Sequence, residues 1–211
     1  MAFDRLYLAN CMLIEIGEKT LPSLGTDSKS QRLAEDIIDG NTAETFALPI
    51  DYHFATAYAE LTRIAVDPAF GYDHQYKMPD GCVRVISTID ENYQDLKYKY
   101  ERGVYCHVEN GQMVQDDVLL CDQDKVFIKF IVLRTNPGRW PAWFTRLVVL
   151  KGARKMCVPL SENDYRKLSI KQDYKEALAD AMAANGLDAM NVTEDGRDEF
   201  SGEKNIADGF M

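Results

Sequence analysis

Histidine is scarce in this chain. There are three in 211 residues, His53, His74 and His107, and none stands at H-x-x-x-H or H-E-x-x-H spacing. That excludes a helical zinc site of this kind. Long apolar runs are missing as well. Leu147–Leu150 is typical of the longest, against the ~20 residues a membrane-spanning helix needs. The opening segment, MAFDRLYLANCMLIEIGE, has Asp4 and Arg5 ahead of a patterned stretch and no small-residue cleavage site, so a signal peptide is not expected. There is no P-loop, no G-x-G-x-x-G and no G-x-S-x-G. The cysteines are Cys11, Cys82, Cys106, Cys121 and Cys157, odd in number, widely spaced and without a C-x-x-C. They read as reduced thiols in a cytosolic product.

Basic residues are the minority, 24 Lys and Arg against 34 Asp and Glu, for a net charge of −10. A chain of this balance does not hold nucleic acid by broad phosphate neutralisation. It can surround DNA without adhering to it. Hydrophobic residues at 46% and charged residues at 27% are the proportions of a folded globular protein. The length suits one sizeable domain or two small ones.

Hydrophobic spacing divides the chain into helical ends and a β-rich middle. Leu6, Ala9, Leu13 and Ile16 predict a helix over about 4–16, closed by Gly17. Ser28 and Gln31 form a capping-box pair that opens a second helix near 29–47. Its apolar face is thin (Leu33, Ala34, Ile37, Ile38, Ala43, Leu48), and Gly40 and Asn41 weaken its middle. Much of such a helix's circumference is expected to lie in water or against a polar partner surface. Residues 53–66 fit either period, with strand preferred. A small antiparallel sheet is expected over 76–133: an alternating strand at Cys82–Ile89, a hairpin turning at Asn110-Gly111 between Val104–Val108 and Met113–Leu120, and a strand at Lys125–Leu133. Trp140-Pro141 opens a helix that Pro159 should end near Cys157. Ser161 and Asp164 cap a last helix over about 162–184, with Tyr165, Leu168, Tyr174, Leu178, Ala181 and Met182 as its apolar stripe and Asn185-Gly186 as its stop. Residues 188–211 hold seven acidic and two basic residues and read as a flexible acidic tail. The fold class is therefore α+β, with one domain over 1–187 made of terminal helices and a β insertion.

Candidate chemistry is thin. Cys106-His107 are strand neighbours and point to opposite faces. Asp73-His74 falls in a Gly/Tyr-rich loop and reads as a solvated turn. Asp90/Glu91 and Asp116/Asp117 are adjacent acids at strand ends, and a carboxylate pair of that kind could serve a cell-wall glycan hydrolase. Tyr93, Tyr98, Tyr100 and Tyr105 are interleaved with Lys97, Lys99 and Arg102. Lysine with tyrosine can stack on bases, but in so acidic a chain a protein interface is favoured, either with copies and neighbours or as a host-directed binding module. No catalytic, cofactor or metal-binding residue is assigned. The candidate interface residues are Tyr98, Tyr100, Tyr105, Arg102, Phe200 and Phe210.

The order of segments resembles the head-to-tail adaptor (connector) proteins of short-tailed bacteriophages, the group that includes tail tubular protein A. Asn10–Glu18 (NCMLIEIGE) is similar to a family helix ending in Ile-Gly-Glu. His53-Phe54-Ala55 followed by Ala59-Glu60-Leu61 stands where the family often has Trp-Asn-Phe-Ala and then Leu. Phe70–Val85 (FGYDHQYKMPDGCVRV) is like its Tyr-x-Leu-Pro-x-Asp-Cys-Leu-Arg-Val. Asn136–Phe144 (NPGRWPAWF) and the helix of Ser161–Leu187 complete a match over roughly 4–187. His53 departs from the usual tryptophan, and Gly81 stands where a second aspartate is common. The resemblance implies a virion structural protein of the neck, synthesised in the host cytoplasm. It implies a homo-oligomeric ring, typically of twelve copies, between the portal protein and the tail nozzle protein. Double-stranded DNA would pass through without specific binding, and no membrane would be involved. It carries over no catalytic residues.

Overall fold

The computed structural model describes residues 4–25, 28–68, 71–109, 112–160 and 164–194. The chain is α+β and divides into two compact units. One is formed by the residues up to Phe54 together with those from Arg134 onward, the other by Ala55–Leu133.

The helical unit begins with α1 (Arg5–Ile16), capped by the Asp4 carboxylate on the Tyr7 N–H. Gly17 ends it with φ +79°, and the Gly17 and Glu18 N–H groups return to the Ile14 and Leu13 carbonyls. A side chain at that φ would be strained, so glycine is the fitting residue. The Arg166 guanidinium donates to the Glu15 and Ile14 carbonyls at 2.8 and 3.3 Å, satisfying groups the helix end leaves open.

α2 (Lys29–Phe46) starts at the expected capping box, in which the Ser28 hydroxyl and the Gln31 amide bond each other's backbone. It runs unbroken through Gly40. Asp36, Asp39, Gly40, Ala43 and Glu44 are exposed, in keeping with the sequence reading, while the polar residues Asn41, Thr42 and Thr45 are buried. Thr42 and Thr45 donate to the carbonyls one turn back, and the Asn41 amide donates to the Val148 carbonyl at 2.6 Å. Each hydroxyl finds its acceptor on its own helix, which removes most of the desolvation cost.

α3 (Ala142–Leu160) passes the expected stop near Cys157 and includes Pro159. Proline so close to a helix end forfeits only one backbone bond. α4 (Asp164–Glu194) runs past Asn185-Gly186. The Asn185 side chain accepts from the His53 N–H and donates to the Asp51 carbonyl, so it fastens the helix to the 51–53 segment instead of ending it. Residues 188–194 of the expected tail are thus helical, and the remainder lies outside the described residues. The 161–163 part of the expected cap lies outside them also.

Aromatic side chains fill the middle of this unit. Phe144 has no exposed surface. Its ring centroid lies 4.6 Å from Phe46, 5.0 Å from Phe54 and 5.2 Å from both Tyr52 and Trp140. Elsewhere α1 meets α3 where Met12, fully buried, faces Gly152.

The β unit contains β1 (Thr56–Glu60), β2 (Thr62–Arg63), β3 (His74–Lys77), β4 (Cys82–Ile89), β5 (Lys99–Glu109), β6 (Gln112–Cys121) and β7 (Phe127–Val132). It holds two antiparallel sheets, ordered β1-β7-β4 and β2-β3-β6-β5, rather than the single sheet expected from 76 onward. Strand structure starts at Thr56, after a short helical turn at His53–Ala55. His74, expected in a loop, opens β3. The β4–β7 register shifts twice, so the six residues from Cys82 to Ser87 are all half-buried instead of alternating. The core of this unit is Leu61, Tyr76, Met78, Leu119, Cys121, Val126, Ile128 and Phe130. Gly81, where the resembling family favours aspartate, has φ +73° in the turn leading into β4, and its carbonyl accepts from the Leu133 N–H at 2.8 Å.

Candidate functional site

Of the candidate interface residues, Tyr100, Arg102 and Tyr105 fall on β5, and the structure joins Tyr100 to the Asp117 carboxylate with Arg102 beside the Tyr100 ring. β5 and β6 form a regular ladder at each end, with a register shift between Glu101 and Tyr105. Gly103 sits in that irregularity at φ +60°, a conformation that favours glycine. Asp117, on the facing strand, takes up the N–H that the shift releases. Its Oδ1 accepts from the Gly103 N–H at 2.8 Å, and its Oδ2 accepts from the Tyr100 hydroxyl at 2.6 Å. The Arg102 guanidinium lies 5.5 Å from the centroid of the Tyr100 ring and donates to the Val83 carbonyl at 2.9 Å.

This arrangement alters proton chemistry nearby. Burial, then the hydrogen bond and charge of Asp117, push the Tyr100 hydroxyl up to about 12. Burial first, and Asp117 second, push the Cys82 thiol up to about 11. A thiol so placed is a poor nucleophile near neutral pH. Tyr100 therefore contributes stability that is complete below its unfolded value near 10 and is lost as pH rises through about 12. The melting temperature of the wild-type chain is expected to fall more steeply between those limits than that of Tyr100→Phe, which lacks the titrating hydroxyl. Parallel curves from far-ultraviolet circular dichroism would count against the assignment.

The other sequence candidates are placed as follows. Tyr98 is 36% exposed. The Tyr105 side chain and that of His107 lie outside what is described, as do Phe200 and Phe210. The adjacent acids have separate partners: Asp116 pairs with Lys77 at 3.0 Å, and Asp117 is engaged as above. Asp90 Oδ1 accepts from the Asn92 and Gln94 N–H groups, both at 2.8 Å, and Glu91 lies 3.8 Å from Lys125. His74 lies 3.2 Å from Asp124, which also faces Arg63 at 3.4 Å. Among the described residues no three His, Cys, Asp or Glu side chains converge as a metal centre would require. No helix among them is long and apolar enough to cross a membrane.

One surface was missed by sequence reasoning. The expected apolar stripe of α4 is only partly buried. Ala181 is packed inside and Tyr174 and Leu178 are half-buried, but Tyr165 is 81% exposed, Leu168 67% and Met182 58%. Beside them, α3 and α4 border an open cleft of about 280 Å³ lined by Trp143, Arg146, Asp173, Glu176, Ala177 and Asp180. Helical spacing identifies the stripe but not which part of it a neighbouring helix covers.

The fold thus defines an α+β protein with a terminal-helix unit and an inserted β unit. No protein-family model and no curated protein matches the chain.

Proposed function

We propose that this chain is a ring-forming head-to-tail adaptor in the neck of a short-tailed bacteriophage, joining the portal to the tail nozzle around the DNA channel. The observation that carries this reading is where the family-like segments meet. His53-Phe54-Ala55 and Asn136–Phe144 are more than eighty residues apart in the chain. They bring Phe54, Trp140 and Phe144 into one aromatic cluster. The segments that resemble the family are thus packing segments, as expected where resemblance follows architecture. The charge of −10 supports a channel lining, because repulsion from phosphate keeps DNA from lodging. Assembly, not chemistry, is the work this reading assigns.

The test is direct. Mass spectrometry of purified particles should find the chain in mature virions. Negative-stain microscopy of the chain mixed with the portal should show rings stacked on it. Absence from virions, or failure to associate with the portal, would remove the reading.

A further inference from the structure

The outward face of α4 combines an apolar seam with margins of opposite charge. Tyr165, Leu168, Gln172, Ala179, Met182 and Leu187 are all exposed. At about 100° per residue they fall within an arc of roughly 140°. The inward residues Ile170, Ala181 and Asn185 lie on the opposite side. The large apolar members, Tyr165 and Leu168 toward one end and Met182 and Leu187 toward the other, mark a contact surface.

The two margins of the seam differ. Lys171 and Lys175 stand toward one, and Asp173, Glu176 and Asp180 toward the other, the two groups centred roughly 150° apart around the axis, with Lys175 and Glu176 just inside the arc. Both lysines are exposed, and neither has an ion-pair partner among the described residues. The acidic margin is the rim of the cleft against α3, where Trp143 supplies an aromatic wall. Arg146, which also lines that cleft, is held by Glu15. Glu176 accepts from Gln172 at 2.8 Å, within the same helix. An ammonium group entering there would meet three carboxylates and a ring face.

We infer that α4 packs in parallel against α4 of a second copy of this chain, the Lys171/Lys175 margin of one copy meeting the Asp173/Glu176/Asp180 margin of the other. Direction follows from charge. Antiparallel helices bring like margins together, which here sets acid against acid. Parallel helices bring unlike margins together. Seam to seam, two parallel helices are related by a two-fold axis along their length, so both unlike pairs form in one isologous contact between two copies. The inference concerns how two copies pair and does not rest on the adaptor reading.

The experiment is sedimentation velocity on the full chain across a wide concentration range, at low and high salt. The wild type is expected to self-associate, less so in high salt. Lys171→Glu/Lys175→Glu is expected to weaken association about tenfold or more, as is Asp173→Lys/Glu176→Lys/Asp180→Lys. Mixing the two variants should restore it, since every contact then pairs unlike charges. Leu168→Asp offers a separate test of the seam, and circular dichroism checks that each variant keeps its helix content. A wild type that stays monomeric throughout would overturn the inference and leave the face to a different protein. So would a Lys171→Glu/Lys175→Glu variant that associates normally, or a mixture that fails to recover. A chain that self-associates through α4 but is missing from virions would sink the connector reading and leave this contact standing.

Discussion

Phe144→Ala is expected to lower the unfolding free energy by about 3–5 kcal/mol. The side chain has no exposed surface and sits at the centre of a cluster of Phe46, Tyr52, Phe54 and Trp140, with Trp143 at 6.0 Å beyond. Its edge-to-face contacts add to the area it buries, at about 0.5–1.5 kcal/mol for each pair. Truncation leaves a void ringed by rigid aromatic side chains that cannot easily collapse into it. For a chain of this size the melting temperature should drop by about 10 °C. The measurement is helped by the placement of the tryptophans: both, Trp140 and Trp143, belong to the helical unit. Tryptophan fluorescence therefore follows that unit alone, and the fluorescence melt of Phe144→Ala should shift by the full amount. An unchanged melt would mean that the cluster is not the centre of the unit's stability.

The second large effect is at Gly152. A Cβ built on this residue overlaps the Met12 Sδ and Cε atoms and comes within 3.1 Å of Met12 Cγ. Met12 is itself fully buried, so its thioether end has no open space to retreat into. Overpacking of this kind costs about 1–3 kcal/mol. Alanine recovers up to about 1 kcal/mol of that through its better helix propensity. Gly152→Ala is therefore expected to destabilise modestly and Gly152→Val severely, since valine adds two further carbons at the same spot. Met12→Ala alone should cost about 2–5 kcal/mol through the cavity it opens. The informative measurement is the double-mutant cycle. Met12→Ala with Gly152→Ala should be less damaging than the sum of the singles by about 0.5–3 kcal/mol, because each change relieves the other. Strict additivity would mean that the two residues do not meet.

What the sequence reveals about this fold depends on the range of the interactions involved. Ser28-x-x-Gln31 and Gly17 are legible because a cap is made within a few residues of itself. The hairpin arms around Asn110-Gly111 are legible for the same reason, although that pair lies outside the described residues. The α4 end is not. Asn185 looks like a stop, but its side chain is recruited by Asp51 and His53. A Cβ added at Gly186 would meet no atom within 4 Å, and glycine there weakens the helix by only about 1 kcal/mol. The polar middle of α2 misleads in the opposite direction. Threonine and asparagine suggest water, yet backbone carbonyls inside the unit accept from the Thr42 and Thr45 hydroxyls and the Asn41 amide. Of the site residues, Tyr100, Arg102 and Asp117 are each singled out by type, the first two as an interface and the third as a possible catalytic acid. Their union depends on a register shift, which no local pattern encodes. The exposed side of α4 has a comparable cause: its period is visible, whereas the portion left uncovered depends on where α3 comes to rest.

The pairing of β1 with β7 has a consequence for how such a chain can change. These are the first and last strands of the β unit, and Thr56 stands opposite Ile131 at the end of their ladder. Paired strands of this kind run about 5 Å apart, so the polypeptide departs and comes back through a single narrow doorway. Everything between can lengthen, shrink or be exchanged while the two doorposts stay where they are. A short turn spliced across them would close the gap, and the inserted portion could then diverge at its own pace, answering to a different set of neighbours from the helices that carry it.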